Sequence, residues 1–393
     1  MSSEVFALCV IIFVADIVAG IIIPTFSLFA RDLGISLALL GALNTLSGVT
    51  QLTASIPLGI MSDRVGRTRI LTLGLLAFAG SMAAYALADG AWLLGLGRVL
   101  QGVAVVATFQ IGAAYLGDIT SPGQRAVAFG SYTTAMGLGF TVGPILGGQI
   151  AETWDARASY AVAVALSLLG ALMIQRLLHE PPRRTSASRD PWFNQLGLLL
   201  RRHDLTLVSA GNLLVSFTFA GAISTFLPLY ARNAGISEAT IGTLFAVRAF
   251  VSAAGRIPNS IVTRRVGSQP ILLGALVLQV IVMFGIAGTT STLWLAVLLG
   301  IDGLAFGGYL VAGQTWVADH TEPEYRGAAV GLYSAASSIG GILAPLLLGI
   351  VAEVWDVGLV FSINAWMLVI GATGYCIAIV ALHRGISNRS AHL

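Results

Sequence analysis

Twelve apolar segments follow one another along the chain, each close to the length of a membrane span and separated by short polar breaks. They lie at residues 5–29, 38–61, 70–88, 92–116, 126–151, 158–178, 205–231, 238–262, 271–288, 293–318, 327–352 and 357–382. Crossing the hydrocarbon core takes about 20 apolar residues in a helix. Inside lipid every backbone polar group needs an internal partner, and runs of this length meet that need as helices. The charge content agrees: 10% of the residues are Asp, Glu, Lys or Arg, against about a quarter in a soluble domain. The 46 glycines suit membrane helices that approach closely. An all-α membrane protein of twelve transmembrane helices is therefore expected, with lipid as its solvent.

The start, MSSEV, has no basic stretch and no small-residue cleavage site before the first span, so no cleavable secretory signal is expected. Cys9 and Cys376 sit in apolar runs near opposite ends, which predicts neither a disulfide nor a metal site. Residues 179–204 form the longest connection, rich in proline, serine and arginine, and divide the chain into halves at 1–178 and 205–393. Residues 192–200 within it are a candidate short surface helix. All 21 basic residues are arginines, and sixteen of them fall in the loops after the even-numbered spans, in the linker and in the C-terminal tail. Arg31, Arg157 and Arg232 lie on the other side. By the positive-inside rule both termini are cytoplasmic, in a multi-pass protein of the cell's inner membrane.

Sliding the chain by 201 residues reveals an internal repeat. PLGIMSDRVGRTRIL from Pro57 falls on PNSIVTRRVGSQPIL from Pro258, and FARDLGIS from Phe29 on YARNAGIS from Tyr230. YLGDITSPGQRAVAFG from Tyr115 falls on WVADHTEPEYRGAAVG from Trp316, and GGQIAETWD from Gly147 on LGIVAEVWD from Leu348. One ungapped offset aligning four places predicts two pseudo-symmetric six-helix halves in parallel orientation.

The loop between spans 2 and 3 reads GIMSDRVGRTRIL from Gly59. It resembles the signature loop of the major facilitator superfamily, G-x-x-x-D-R-x-G-R-K/R. The resemblance implies that fold, with a substrate site between the halves near the midplane, and a gating role for Gly59, Asp63, Arg64, Gly66 and Arg67. Asp63 would face the N-terminus of span 11 near Gly327, where a helix dipole stabilises an acid by about 0.3–1 kcal/mol. The second copy has Arg264 in place of Asp63, so an asymmetric gate is expected.

Two further elements carry the resemblance. GRVLQG from Gly97 is similar to the family's R-x-x-Q-G element, with Arg98 about 9 Å inside span 4. GFTVGPILGG from Gly139 is similar to the antiporter element of span 5, with Gly139, Gly143, Pro144, Gly147 and Gly148. A large side chain at Gly143 is expected to block exchange rather than folding. Asp16 in span 1, Asp302 in span 10 and Arg248 in span 8 lie near mid-bilayer. Ionisable groups at that depth are costly and mark relays or cavities, so Asp16, Arg98, Asp302 and Arg248 are the candidates for proton coupling. Asp16 is within expected reach of Arg98. The family fold lines its cavity with spans 1, 4, 7 and 10, which would place Asp16, Arg98 and Asp302 on it with Arg248 behind.

Span 1 and the segment YLGDITSPGQR resemble the twelve-span drug:proton antiporters of the multidrug and tetracycline efflux branch. Span 3 lacks the acid that the tetracycline group carries there. The expected function is proton-coupled efflux of small amphipathic compounds by alternating access. A proton-coupled importer or metabolite exporter of the same fold is the alternative, and a non-transporting membrane sensor the alternative of another class. Candidate substrate contacts are Phe26, Asn44, Gln110, Asn212, Phe219, Phe306, Tyr309, Gln314 and Trp316. The expected partners are a small-molecule substrate, protons and the lipid bilayer, with no nucleic acid, no cofactor and no metal. A monomer without enzymatic activity is expected.

Overall fold

The computed structural model describes residues 2–121, 123–181, 199, 202–322 and 325–390. The candidate helix at 192–200 lies outside these apart from Leu199. Among the described residues twelve long helices follow one another: α1 (Ser3–Asp32), α2 (Leu37–Val65), α3 (Arg67–Ala86), α4 (Ala91–Ile119), α5 (Arg125–Thr153) and α6 (Ala156–Leu177). Then come α7 (His203–Asn233), α8 (Glu238–Val266), α9 (Ser268–Ala287), α10 (Thr292–His320), α11 (Arg326–Val354) and α12 (Val357–Ser390). Eleven are long and apolar enough to cross a membrane. The remaining one, α5, matches them in length but carries GSYTTAMGLG and GPILGG, which lower its hydropathy. That composition follows from its neighbours, since α5 packs between α1 and α8.

Twelve crossings leave both chain ends on one face, here the terminal face, and the opposite side is the far face. Trp92, Trp154, Trp294 and Trp355 all stand exposed at far-face helix ends. This is the interfacial position that tryptophan favours.

The repeat reaches into local geometry. Ser36 caps α2 by accepting from the Leu39 N–H, and Ser237, 201 residues later, caps α8 by accepting from Thr240. The glycines that need left-handed backbone are also paired: Gly34 and Gly235 at φ 77° and 79°, Gly66 and Gly267 at φ 119° and 87°. The six-helix halves join chiefly through α2 on α11 and α5 on α8. Two helices open into π-helical turns, α4 at Val106–Gln110 and α7 at Thr218–Phe226. Such turns are frequent at functional sites, and both of these border the central cavity.

Candidate functional site: a central cavity open on one face

On the far face the halves close against each other through backbone. A Cβ added at Gly41 of α2 would meet Pro345 and Gly349 of α11, and one added at Gly242 of α8 would meet Pro144 and Gly148 of α5. These are the same three positions, 201 residues apart. The acid one turn beyond completes each contact. Glu353 of α11 accepts from the backbone N–H groups of Leu37 and Ala38 at 2.5 and 3.3 Å, and Glu152 of α5 accepts from Ala239 at 2.7 Å. Arg232 pairs with Asp32 across the same seam at 2.9 Å. Deeper in, the Thr45 hydroxyl donates to the Ile342 carbonyl at 2.7 Å, and Asn44 donates to Thr225 at 3.2 Å.

Below these contacts α2 and α11 part, leaving a cavity of about 1470 Å³. It reaches the terminal face beside Ser55 and Ile56 on one side and Gly327 and Ala328 on the other. Its wall is mostly apolar, with scattered amides and hydroxyls, which suits a ligand of mixed character. At its blind end a recess of about 90 Å³ is bounded by Phe26, Asn44, Arg98, Gln101 and Ser224, among others.

Of the nine candidate contacts, Asn44, Gln110 and Phe219 line the cavity and Phe26 lines the recess. The other five do not. Asn212 is buried and donates to the Tyr333 carbonyl at 2.9 Å, and Tyr309 donates to the Val208 carbonyl at 2.8 Å. Phe306 packs on Phe219, Trp316 stacks on His320, and Gln314 is exposed outside the cavity. Four of these five belong to α10, which supplies no lining residue because it packs on α8 and α9. The expected frame of spans 1, 4, 7 and 10 is thus corrected in part: α1, α4 and α7 line the cavity, α10 does not, and α2 and α11 form much of the wall. Residues 44, 47, 48, 51, 52, 55 and 56 of α2 line it. Their three- and four-residue spacing of small and polar groups is the signal that could have found them.

The four intramembrane charges fall into three settings. Arg248 and Asp302 form a sealed pair, Nε to Oδ2 at 2.7 Å, with Gln279 donating to the other carboxylate oxygen at 3.2 Å. Neither lines the cavity, so the expected exposure of Asp302 is corrected: its face of α10 turns toward α8 and α9. Asp16 does line the cavity, 6% exposed, and among the described residues it holds no ion pair. Its Cβ packs against Gly139 of α5. Arg98 stands elsewhere, with its guanidinium 3.4 Å from the Phe26 ring centroid and donating to Gln101 at 2.9 Å. Phe26 follows Asp16 by ten residues, about 15 Å along α1. The expected Asp16–Arg98 pairing is not made, because one helix holds the two sites apart. The partners of Arg98 are thus a ring face and an amide, with no acid among the described residues.

The signature loop folds around Arg67. Its side chain meets Asp63 at 2.7 Å, Asp118 at 3.1 Å and the Ser62 hydroxyl at 2.5 Å. Glu180 accepts from the backbone N–H groups of Arg67 and Thr68 at 2.6 and 3.0 Å, capping α3. Asp63 is half-exposed and does not touch α11, and a Cβ at Gly59 or at Gly327 would meet nothing within 4 Å. In α5, Gly139, Gly143 and Gly147 press against α1 within their own half, whereas Pro144 and Gly148 press against α8 across the seam.

A family profile described as Major Facilitator Superfamily matches residues 8–233 and 208–391. Similar relatives include the Escherichia coli tetracycline resistance protein, class B, 28% identical over 364 residues, covering 86% of this chain and 84% of the relative. The quinolone resistance protein NorA of Staphylococcus aureus (strain MRSA252) is 24% identical over 360 residues, covering 90% and 91%. Among solved structures, a point mutant of the nucleoside transporter NupG superposes with a TM-score of 0.84 at 15% identity, covering 95% of this chain and 99% of that one. A bacterial homolog of the human lysosomal transporter Spinster, in an inward-facing and unoccupied conformation, gives 0.79 at 18% identity, covering 95% and 96%. With twelve membrane helices in two repeated halves around a central cavity, and a family profile matching along nearly its whole length, the chain belongs to the major facilitator superfamily.

Proposed function

We propose that the chain exports small amphipathic compounds across the inner membrane in exchange for protons, by alternating access. The cavity carries this reading: a large, mostly apolar chamber between the halves, sealed on one face and reachable from the other. The arginine bias assigns the terminal face, and with it both chain ends, to the cytoplasm. The structure then corresponds to the inward-open state. The resistance proteins among the relatives favour efflux.

In this scheme residues 1–178 and 205–393 rock as units about the cavity. Asp63 gains a contact as they do. Its half-exposed pair with Arg67 contributes at most about 1 kcal/mol and stays within the loop, where Asp118 and Ser62 also hold Arg67. Closure adds the α11 terminus near Gly327, a bias of about 0.3–1 kcal/mol that is small enough for a gate that must also open.

Asp16 is the coupling carboxylate. It lies on the cavity wall without a fixed counter-ion, whereas Asp302 is committed to Arg248 and Gln279. The purified chain in proteoliposomes tests this with a panel of amphipathic solutes, tetracycline and a quinolone among them. Accumulation driven by an imposed pH difference and abolished by a protonophore is expected. Asp16→Asn is expected to bind and exchange solute without pH-driven accumulation. Wild-type transport indifferent to the pH step would overturn proton coupling, and undiminished accumulation by Asp16→Asn would remove that residue from it.

A further inference from the structure

We propose that the blind end of the cavity is an anion subsite, in which Arg98 takes the carboxylate, or an equivalent oxyanion, of an amphipathic substrate. This rests on reading the cavity as the substrate chamber. Arg98 is 7% exposed, yet it borders both the cavity and the recess. Among the described residues no carboxylate pairs with it. Its guanidinium donates to Gln101, lies on the face of Phe26, and leaves Nε without a partner.

The second buried arginine shows what a purely structural cation looks like in this protein. Arg248 also lies over aromatic rings, those of Phe219 and Phe306, but its acid is 2.7 Å away and the pair is shut off from the cavity. Arg98 has the rings and lacks the acid. The recess beside it is bounded by neutral polar groups, Asn44, Gln101, Ser27 and Ser224, and by no acid. The cavity's own acid, Asp16, sits ten residues further toward the open mouth along α1. A planar guanidinium fork matches a carboxylate, and such charge-assisted contacts are the strong ones. A ligand entering from the mouth brings the missing counter-charge to the end of the chamber. Its aromatic or alkyl body stays against the apolar wall.

The probes are three naphthalenes of one shape: 2-naphthoate, 2-naphthamide and 2-naphthylmethylammonium. Each is titrated calorimetrically into the detergent-solubilised full chain at neutral pH. Wild type is expected to bind the carboxylate at least about tenfold tighter than the amide, and the cation weakest. Arg98→Gln is expected to level carboxylate and amide while keeping affinity for the amide, and Arg98→Lys to restore part of the preference. A phospholipid headgroup carries the same oxyanion chemistry, so the titrations are repeated with added phosphatidylglycerol. Competition assigns the subsite to a lipid headgroup, and its absence assigns it to a free solute. Equal affinities for the three probes, a preference for the cation, no binding of the carboxylate, or a preference surviving in Arg98→Gln would overturn the subsite. None of these readouts depends on a pH gradient. Lost discrimination with intact pH-driven transport sinks the subsite alone, and retained discrimination without pH-driven transport sinks the coupling alone.

Discussion

Glu353 Oε2 lies 2.5 Å from the backbone nitrogen of Leu37, the first residue of a helix in the other half of the molecule. Glu152 repeats the arrangement on Ala239. Each carboxylate satisfies N–H groups that a helix start leaves free and faces the positive end of the helix dipole. The two residues stand at equivalent places in the repeated AETWD and AEVWD, so the far face closes with twofold pseudo-symmetry. The terminal face has no such symmetry, since Arg264 replaces Asp63.

Glu152→Gln and Glu353→Gln are each expected to shift the population toward the state open on the far face by about two- to fivefold, the equivalent of 0.3–1 kcal/mol. Together they should shift it by the product. The reporter is Ser224→Cys, in the recess, with Cys9 and Cys376 changed to serine. Labelling by an impermeant maleimide added on the far side should rise in each variant and most in the double. Unchanged labelling would show that the capping contacts do not hold this face shut.

Asp63→Asn is expected to act in the opposite sense. Removing the charge weakens the closing contact on the terminal face and leaves the far face untouched. Labelling of Ala335→Cys, on the cavity wall, from the terminal side should rise by about two- to fivefold. Equal labelling with normal transport would leave the loop with only a topological role.

Gly143→Leu and Gly148→Leu separate packing from exchange. A Cβ at Gly143 would come within 2.5 Å of the Ile17 carbonyl oxygen and 2.7 Å of Gly20 Cα, both in α1 of the same half. This corrects the expectation that a bulky residue there spares folding. Overpacking against backbone costs about 1–3 kcal/mol or more, so yield and melting temperature should fall. A Cβ at Gly148 would come within 2.4 Å of the Glu238 carbonyl oxygen and 3.1 Å of Gly242 Cα, both in α8 across the seam. That variant should express normally but resist far-face closure, which raises far-side labelling of the Ser224→Cys reporter. The reverse pattern would reassign the two faces of α5.

Arg248→Met should destabilise the second half by about 3–5 kcal/mol, because it strands Asp302 in a sealed site. The double variant Arg248→Met with Asp302→Leu should recover much of that loss. Thermal unfolding of the three proteins is the measurement. An Arg248→Met protein as stable as wild type would show that the pair does not hold the second half together.

The sequence by itself determined the spans, their number and the repeat, because hydropathy over some twenty residues reports whether a segment can lie in lipid. The repeated FARDLGIS and YARNAGIS then folded alike, into matching turns at Gly34 and Gly235 and matching serine caps at Ser36 and Ser237, since local backbone chemistry repeats with local sequence. Only the tertiary structure decided which charges meet the cavity. Asp16 and Asp302 sit at similar depth in apolar helices, yet one lines the chamber and the other is sealed against Arg248. Depth along a span follows from counting residues. The direction a side chain faces depends on how each helix is rotated against its neighbours, and that is set by contacts between segments hundreds of residues apart. The same reason hid the lining role of α2 and α11, and it placed Arg98 on Phe26 rather than beside an acid.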